Sequence, residues 1–359
     1  MPGLQIAHFG LAKQYSNLKE ELLDATDRAL KDGQLVNGHY TRSFEEWLKH
    51  RTGTKYAITV HSGTQALEII ARYKKRLHNN VMEGNPIVRI PNLTYPATLN
   101  AFINAGWDII LADTDKNGIL RLEHEGKRIA GIYDCLVGLY GLQPWQGANI
   151  ESSFGVIVDG AQHWLECNNQ VGSAMSISFD PTKNLPASGN GGAIVTNDNF
   201  LNEFALSYRD NNKPEFNAAG TNTKMSEQDC AQILVRASYI NEWQNRRKQI
   251  SKYWCEQFKD LPIRCLSDTQ VPHAHQKFVI YSSNRNELNH YLLYNGIQTK
   301  IHYEYVLGDL QMCLGFSKPD MLSTSVMLSR GVLSLPMYPE LTDIEVEYIA
   351  NKVKSFQPK

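Results

Sequence analysis

Three pieces of the segment between Phe154 and Thr196 decide the fold. Phe154-Gly-Val-Ile-Val158 is a short apolar run that stops at Asp159-Gly160-Ala161-Gln162. Met175-Ser-Ile-Ser-Phe179 is a second run, followed by Asp180-Pro181-Thr182-Lys183-Asn184. A third begins after Gly189-Asn190-Gly191, in Gly192-Ala193-Ile194-Val195-Thr196. Each run has the length and apolar character of a buried strand, and polar side chains collect where the runs end. Open α/β sheets bind ligands beyond the carboxyl ends of their strands, which marks Asp159 and Lys183. Pro181 favours an extended Asp180 and disfavours a continuous helix through this segment. Gly191-Gly192 reads as a close backbone approach or a turn.

The same alternation extends outward. Residues 17–31 predict an amphipathic helix, with Leu18, Leu22, Leu23, Ala25 and Ala29 set among charges and a stop at Lys31-Asp32-Gly33. A second helix is expected over 42–50, with Phe44 and Leu48 on one face. Strands are expected at 56–60, 87–90, 108–112 and near 129–134, 154–158, 175–179 and 192–196, with helices at 64–73 and 98–105. This is an α/β pattern, a mostly parallel sheet sandwiched by helices. One long helix is expected from Ser226 to Gln257, with Arg246-Arg247-Lys248 on a solvated face, as Tyr73-Lys74-Lys75-Arg76 is on its own helix. A strand at 277–281, a helix at 287–294, a turn at Gly296-Ile297 before another strand, and a final helix follow. Thr342, ahead of Asp343, Ile344 and Glu345, resembles a capping box for that helix. At 359 residues the chain divides into a large domain, 1–245, and a smaller C-terminal α+β domain, 246–359.

The balance of 36 basic and 37 acidic side chains gives no bulk attraction for nucleic acid or an anionic membrane. The six cysteines have neither paired spacing nor a histidine cluster beside them, so reduced thiols are expected rather than a disulfide framework or a metal site. The N-terminus lacks a signal-peptide pattern and no apolar run is long enough to span a bilayer, so the expectation is a soluble, cytoplasmic protein.

The chemistry follows from the strand ends. An amine can form a Schiff base with the aldehyde of pyridoxal phosphate, and a carboxylate can pair with its pyridine nitrogen and keep it protonated. Lys183 and Asp159 fit these parts, and Gln162 is placed to donate to the ring oxygen. His61-Ser62-Gly63-Thr64, between a strand and a helix, reads either as a phosphate site at a helix N-terminus or as an ordinary N-cap. Alone, Asp159 also reads as a turn residue and Lys183 as a surface charge. His273 and His275 read as surface or packing residues, and Trp164 as packing against the loop after it.

Taken in order, these pieces resemble the DegT–StrS type sugar aminotransferases, of the fold type I pyridoxal phosphate group. The resemblance runs from Lys31-Asp32-Gly33-Gln34 and Gly38 through Ser62-Gly63-Thr64-Gln65-Ala66-Leu67 and Pro91-Asn92-Leu93-Thr94-Tyr95. It continues through Val137-Gly138-Leu139-Tyr140-Gly141, Asp159-Gly160-Ala161-Gln162, Ser178-Phe179-Asp180-Pro181-Thr182-Lys183-Asn184 and Gly220 to Glu227. It closes with Gly296-Ile297, His302-Tyr303 and Leu333-Ser334-Leu335-Pro336.

The resemblance implies that Lys183 carries the cofactor and shuttles the proton, Asp159 holds the pyridine nitrogen and Gln162 the ring oxygen. Tyr95 stacks on the ring; Gly63, Thr64 and Ser178 bind the phosphate; Asn222 reaches the partner's phosphate in a homodimer. The implied reaction moves an amine from an amino acid, glutamate, to a nucleotide-linked keto-sugar. The sequence departs from the family where His is usual at Gly138, Ala at Gly160, an acid at Asn190 and Arg at Lys224, and the stretch from Gln162 to Ser178 is short. A non-sugar ketone acceptor, a sugar dehydratase and a non-catalytic binding or regulatory protein are the alternatives. Lys183 argues against the dehydratase, whose branch has His at this position. Lys183, Asp159, Gln162 and Ser178 together weigh against a binding protein.

Overall fold

The computed structural model describes residues 4–121, 130–145, 155–167, 171–216, 218–316 and 322–358. The first half contains α1 (Leu11–Lys31), α2 (His39–Thr52), β1 (Tyr56–Val60), α3 (Gly63–Asn79), β2 (Ile87–Pro91), α4 (Pro96–Asn104), β3 (Asp108–Ala112), β4 (Ile132–Val137), β5 (Val156–Asp159) and β6 (Met175–Ser178). There follow β7 (Gly192–Thr196), α5 (Asn199–Tyr208), α6 (Glu227–Ser238), α7 (Ile240–Phe258), β8 (Arg264–Cys265), β9 (Phe278–Tyr281), α8 (Arg285–Tyr294), α9 (Ser323–Gly331), β10 (Val332–Leu335) and α10 (Asp343–Ser355).

Seven strands form one sheet in the order β1-β7-β6-β5-β4-β2-β3. The pairings β2–β3, β2–β4, β4–β5 and β5–β6 are parallel, whereas β7 runs antiparallel to both β1 and β6. Successive residues of a strand face opposite sides, so apolar runs are what a sheet buried on both faces requires. Cys135 and Ile157 pack with Leu67 of α3 and Phe102 of α4, while their neighbours Leu136 and Val158 pack with Phe44 of α2 and Ile233 of α6. The fold is thus the α/β sandwich expected. A second, antiparallel sheet, β10-β9-β8, packs its Phe278, Ile280, Leu333 and Leu335 against Trp254 of α7 and Ile349 of α10.

Several local expectations need correction. The helix expected from Ser226 to Gln257 is two helices joined at Tyr239, which caps the end of α6 and opens α7. No Pro or Gly marks that break; α6 turns its apolar face to the large sheet, and α7 leaves it for the second core. Directly after Ile297 the described residues form no strand: Ile297 and Lys300 make isolated bridges, Ile6↔Ile297 and Lys300↔Ser334, and the next strand is β10. The strand placed near 129 begins at Ile132, residue 129 lying outside the described residues, as does residue 154 of the strand placed at 154–158. Lys74 and Arg247 are not on solvated faces: they are 2% and 6% exposed, and Arg247 donates to the Met337 carbonyl at 2.8 Å. The capping box at Thr342 is present, with Glu345 accepting from the Thr342 N–H at 2.9 Å. No helix among the described residues is long and apolar enough to cross a membrane.

Candidate active site

The carboxyl ends of β1, β2, β4, β5 and β6 converge on one cavity of about 540 Å³. Its lining includes Gly63, Thr64, Tyr95, Asp159, Gln162, Ser178 and Lys183, seven of the eight residues singled out in the sequence. The eighth, Asn222, does not line it. Asn222 is exposed, bridges to Asp210, and accepts from Lys224 Nζ at 2.7 Å.

Asp159 is the last residue of β5. The Thr98 hydroxyl of α4 donates to its Oδ2 at 2.8 Å, and the Ala161 N–H donates to Oδ1 at 3.1 Å. Asp159 thus organises the turn through Oδ1 and also lines the cavity.

Lys183 lies in the loop between β6 and β7. Asp180 builds the turn beneath it, its Oδ1 accepting from the Thr182 N–H at 2.9 Å and the Thr182 hydroxyl at 2.5 Å. The Lys183 N–H donates to the Asp180 carbonyl at 2.9 Å, and Ala187 to Phe179 at 2.7 Å, which closes the loop. Burial lowers the pKa of the Lys183 amine below the usual lysine range, and the charges of Asp159 and Asp180 only partly oppose this. A lysine so placed is a better nucleophile and proton carrier, because more of it is neutral.

Ser62 caps α3, its hydroxyl accepting from the Gln65 N–H at 3.2 Å. The N-cap and an open helix N-terminus thus coexist. A side chain at residue 63 would place its Cβ 2.7 Å from Ser178 Cβ, and one at residue 192 would lie 2.3 Å from the Ser62 backbone. These two glycines let β6, β7 and the start of α3 close into a notch lined by backbone amides and hydroxyls.

Gln162 is held from both ends: its Oε1 accepts from the Tyr140 N–H at 2.9 Å, and its Nε2 approaches the Tyr303 hydroxyl at 3.4 Å. Tyr95 lines the cavity with its ring centroid 5.8 Å from that of Tyr303.

Phe9, Thr98, Lys277, Lys300, His302 and Tyr303 also line the cavity and were not singled out as site residues. His302 and Tyr303 were visible in sequence only as part of the family resemblance; Thr98 read as an ordinary helix residue and Lys277 as the start of a strand. His302 Nδ1 lies 2.8 Å from Ser334 Oγ, and burial beside Lys277 pushes its imidazole strongly toward the neutral form. His273 and His275 do not line the cavity; their rings pack at a tilt, 4.5 Å apart, and the His275 N–H donates to His273 Nδ1 at 2.8 Å, so they are packing residues.

The chain is 26% identical over 98% of its length to the pleiotropic regulatory protein of Geobacillus stearothermophilus, covering 99% of that protein. It is 29% identical to the dTDP-3-amino-3,6-dideoxy-alpha-D-galactopyranose transaminase of Aneurinibacillus thermoaerophilus, over 94% of this chain and 96% of that one. The fold matches the crystal structure of S. venezuelae DesV in complex with a ketimine intermediate at a TM-score of 0.87, with 24% identity and 98% of both chains covered. Residues 16–125 and 152–354 match the family model whose cavity-lining segments have just been described, and the chain belongs to the DegT/DnrJ/EryC1/StrS aminotransferase family.

Proposed function

We propose that the protein is a pyridoxal phosphate-dependent aminotransferase that moves an amino group from glutamate to a keto-sugar carried on a nucleotide. The observation that carries this reading is the placement of Lys183 and Asp159, from neighbouring strand ends, on one cavity with the glycine-lined notch of Gly63, Thr64 and Ser178. Among the relatives, transaminases of dTDP- and UDP-linked sugars recur, including a UDP-N-acetyl-3-dehydro-alpha-D-glucosamine 3-aminotransferase of Acidithiobacillus ferrooxidans.

When bound, pyridoxal phosphate supplies an aldehyde that captures amines and a ring that stabilises the negative charge left at the adjacent carbon. Lys183 would hold it through Nζ, and its amine, kept largely neutral by burial, would serve as the proton carrier beside it. Asp159, kept in orientation by Thr98, would pair with the pyridine nitrogen and keep it protonated. Gln162 donates from Nε2 to the ring oxygen while Tyr140 fixes the amide. The α3 N-terminus and Ser178 take the phosphate, and Tyr95 covers the ring. The same Lys183 amine would serve as general base and general acid, so one group would supply the proton transfers the reaction needs.

The same reading divides the chain near residue 245. Ile240 and Trp243 of α7 join the core of the large sheet and Ile250, Trp254 and Phe258 join the second core, which supports a boundary inside that helix. It also makes the protein a cytoplasmic homodimer in which Asn222 serves the partner's site. The exposure of Asn222 on a loop tied down by the Thr223 carbonyl, which accepts from the His61 N–H at 2.8 Å, supports that assignment.

The test is an absorbance spectrum of the protein with added pyridoxal phosphate, before and after glutamate. A visible band that forms and then bleaches is expected, with Lys183→Ala forming no such band. A band that forms and survives glutamate refutes the donor; a wild-type band that persists unchanged in Lys183→Ala refutes the assignment of the lysine.

A further inference from the structure

A second lysine lines the same cavity without, among the described residues, a hydrogen-bond or ion-pair partner for its charge. Lys277 immediately precedes β9, and it is anchored by its own backbone on one side and by its neighbour's side chain on the other. Its N–H donates to the Tyr140 carbonyl at 3.1 Å, and the Gln276 amide donates to the Thr182 carbonyl at 2.9 Å. Residues 276 and 277 are thereby tied to the loop that orients Gln162 and to the loop that carries Lys183. Along β9, Phe278 and Ile280 face the second core and Val279 faces the opposite side, with Leu139 and Tyr140. Lys277 shares the side of Val279, where the apolar packing gives way to the cavity.

The charges around Lys277 are unbalanced. Lys183, Lys277 and Lys300 all line the cavity, and the carboxylates lining it are Asp159 and Asp180. Both are engaged: Asp159 accepts from Thr98 and Ala161, and Asp180 accepts twice from Thr182. Lys300 has its ammonium 5.0 Å from the centre of the Phe9 ring, a favourable site for a cation. Among the described residues Lys277 makes no side-chain hydrogen bond or ion pair, although it is only 6% exposed. Burial pushes its amine well below the ordinary lysine range, and the positive charges of Lys183, Arg247 and Lys300 push it further, against the pull of Asp180. A buried ammonium without a counter-charge is unfavourable, and an anion brought into the cavity reverses that imbalance.

We propose that Lys277 recognises a carboxylate of the substrate, held across the cavity from the phosphate notch and close to the carbon where the amine is exchanged. This rests on the aminotransferase reading above. The cofactor's phosphate is assigned to Gly63, Thr64 and Ser178, so it does not supply this anion. Lys277 follows Gln276, whose side chain is tied to the Lys183 loop, and both lysines line one cavity, so the group Lys277 meets shares that cavity with the reacting carbon. A carboxylate of the donor amino acid meets that condition, and so does a carboxylate on the sugar ring. An ammonium offers three donors on a compact charge and takes either, gaining its proton from solvent as the anion enters.

The test compares wild-type holoenzyme with Lys277→Met, which keeps the length of the side chain and removes the charge. One arm follows bleaching of the cofactor band against glutamate concentration. The other measures binding of UDP-glucuronate and UDP-glucose, which differ by a carboxylate, by calorimetry. If the donor supplies the carboxylate, half-saturation by glutamate rises at least about ten-fold in the variant and the sugar arm is unchanged. If the sugar supplies it, wild type prefers UDP-glucuronate by about ten-fold or more and the variant loses that preference. Lys277→Arg, which restores a charge, recovers part of either loss, and the melting temperature separates a binding defect from unfolding. Should Lys277→Met fail to fold, Lys277→Gln takes its place. The proposal is overturned if the variant matches wild type in both arms, or if wild-type protein responds to neither carboxylate. A wild-type protein that ignores glutamate yet discriminates the sugars through Lys277 refutes the donor and leaves the lysine's role standing.

Discussion

At the scale of single residues, position 138 shows how one side chain can take another's place. A Cβ at Gly138 would lie 1.9 Å from His163 Nδ1, so the His163 ring occupies the space that any side chain there would need. This accounts for one departure from the family pattern, the glycine where histidine is usual. His163 is fully buried, its ring nitrogens have no hydrogen-bond partner among the described residues, and it meets Trp145 edge to face at 5.3 Å. Burial lowers its pKa to about 3. The sign of the pH effect follows: below the unfolded value of about 6.5 the unfolded chain binds a proton that the native state refuses. This histidine therefore removes about 1.4 kcal/mol of stability per pH unit as pH falls from about 6.5 toward its folded value. In His163→Met that contribution disappears, and unfolding free energies measured in denaturant between pH 6 and pH 4 fall less steeply. Equal slopes in the two proteins would show that His163 titrates alike in both states. The sequence marked Lys183, Asp159 and Gln162 because polar groups at strand ends are a local signal, and all three line the cavity. It did not mark Thr98, whose hydroxyl reaches Asp159 across 61 positions, because nothing in its own helix distinguishes it.

At the scale of elements, α2 is preceded at its N-cap position by Gly38, which has no side chain to cap the helix. The cap comes from α6 instead. The Glu227 carboxylate accepts from the N–H groups of Gly38 at 2.8 Å, Tyr40 at 2.7 Å and Thr41 at 3.1 Å, and also from the Thr41 hydroxyl. A negative group at a helix N-terminus satisfies its open donors and its dipole together. Gly38 is required for the approach, since a Cβ there would lie 2.6 Å from the carboxylate. Glu227→Ala leaves these buried N–H groups without an acceptor, at a cost of about 3 kcal/mol, and Glu227→Gln costs less because one oxygen remains. Denaturant midpoints measure both, and an alanine variant as stable as wild type would mean that water or a neighbour replaces the carboxylate. The alternation of strands and helices was legible in sequence because it is a periodicity within each segment. The break at Tyr239, the burial of Lys74 and Arg247 and the cap from Glu227 were not, because each depends on what another element brings to it.

At the scale of the whole molecule, the question is whether one chain contains a complete site. Lys183 and Asp159 line the cavity, whereas Asn222 lies exposed outside it on the segment that Glu227 anchors to α2. Tyr95 lines the cavity and is still 57% exposed, a large aromatic surface for a second chain to cover. In the proposed homodimer each site takes Lys183 from one chain and Asn222 from the other, and that arrangement can be counted. Lys183→Ala and Asn222→Ala chains, each impaired alone, are mixed in equal amounts and allowed to exchange subunits. Half of the dimers are then mixed, and each mixed dimer has one site lacking both side chains and one site lacking neither. Activity per chain recovers to about one quarter of wild type. If Asn222 instead acts within its own chain, every site in a mixed dimer lacks one of the two side chains, and mixing restores nothing. The recovered fraction therefore reads out which chain Asn222 serves, without requiring the identity of the sugar, provided the same acceptor is used throughout.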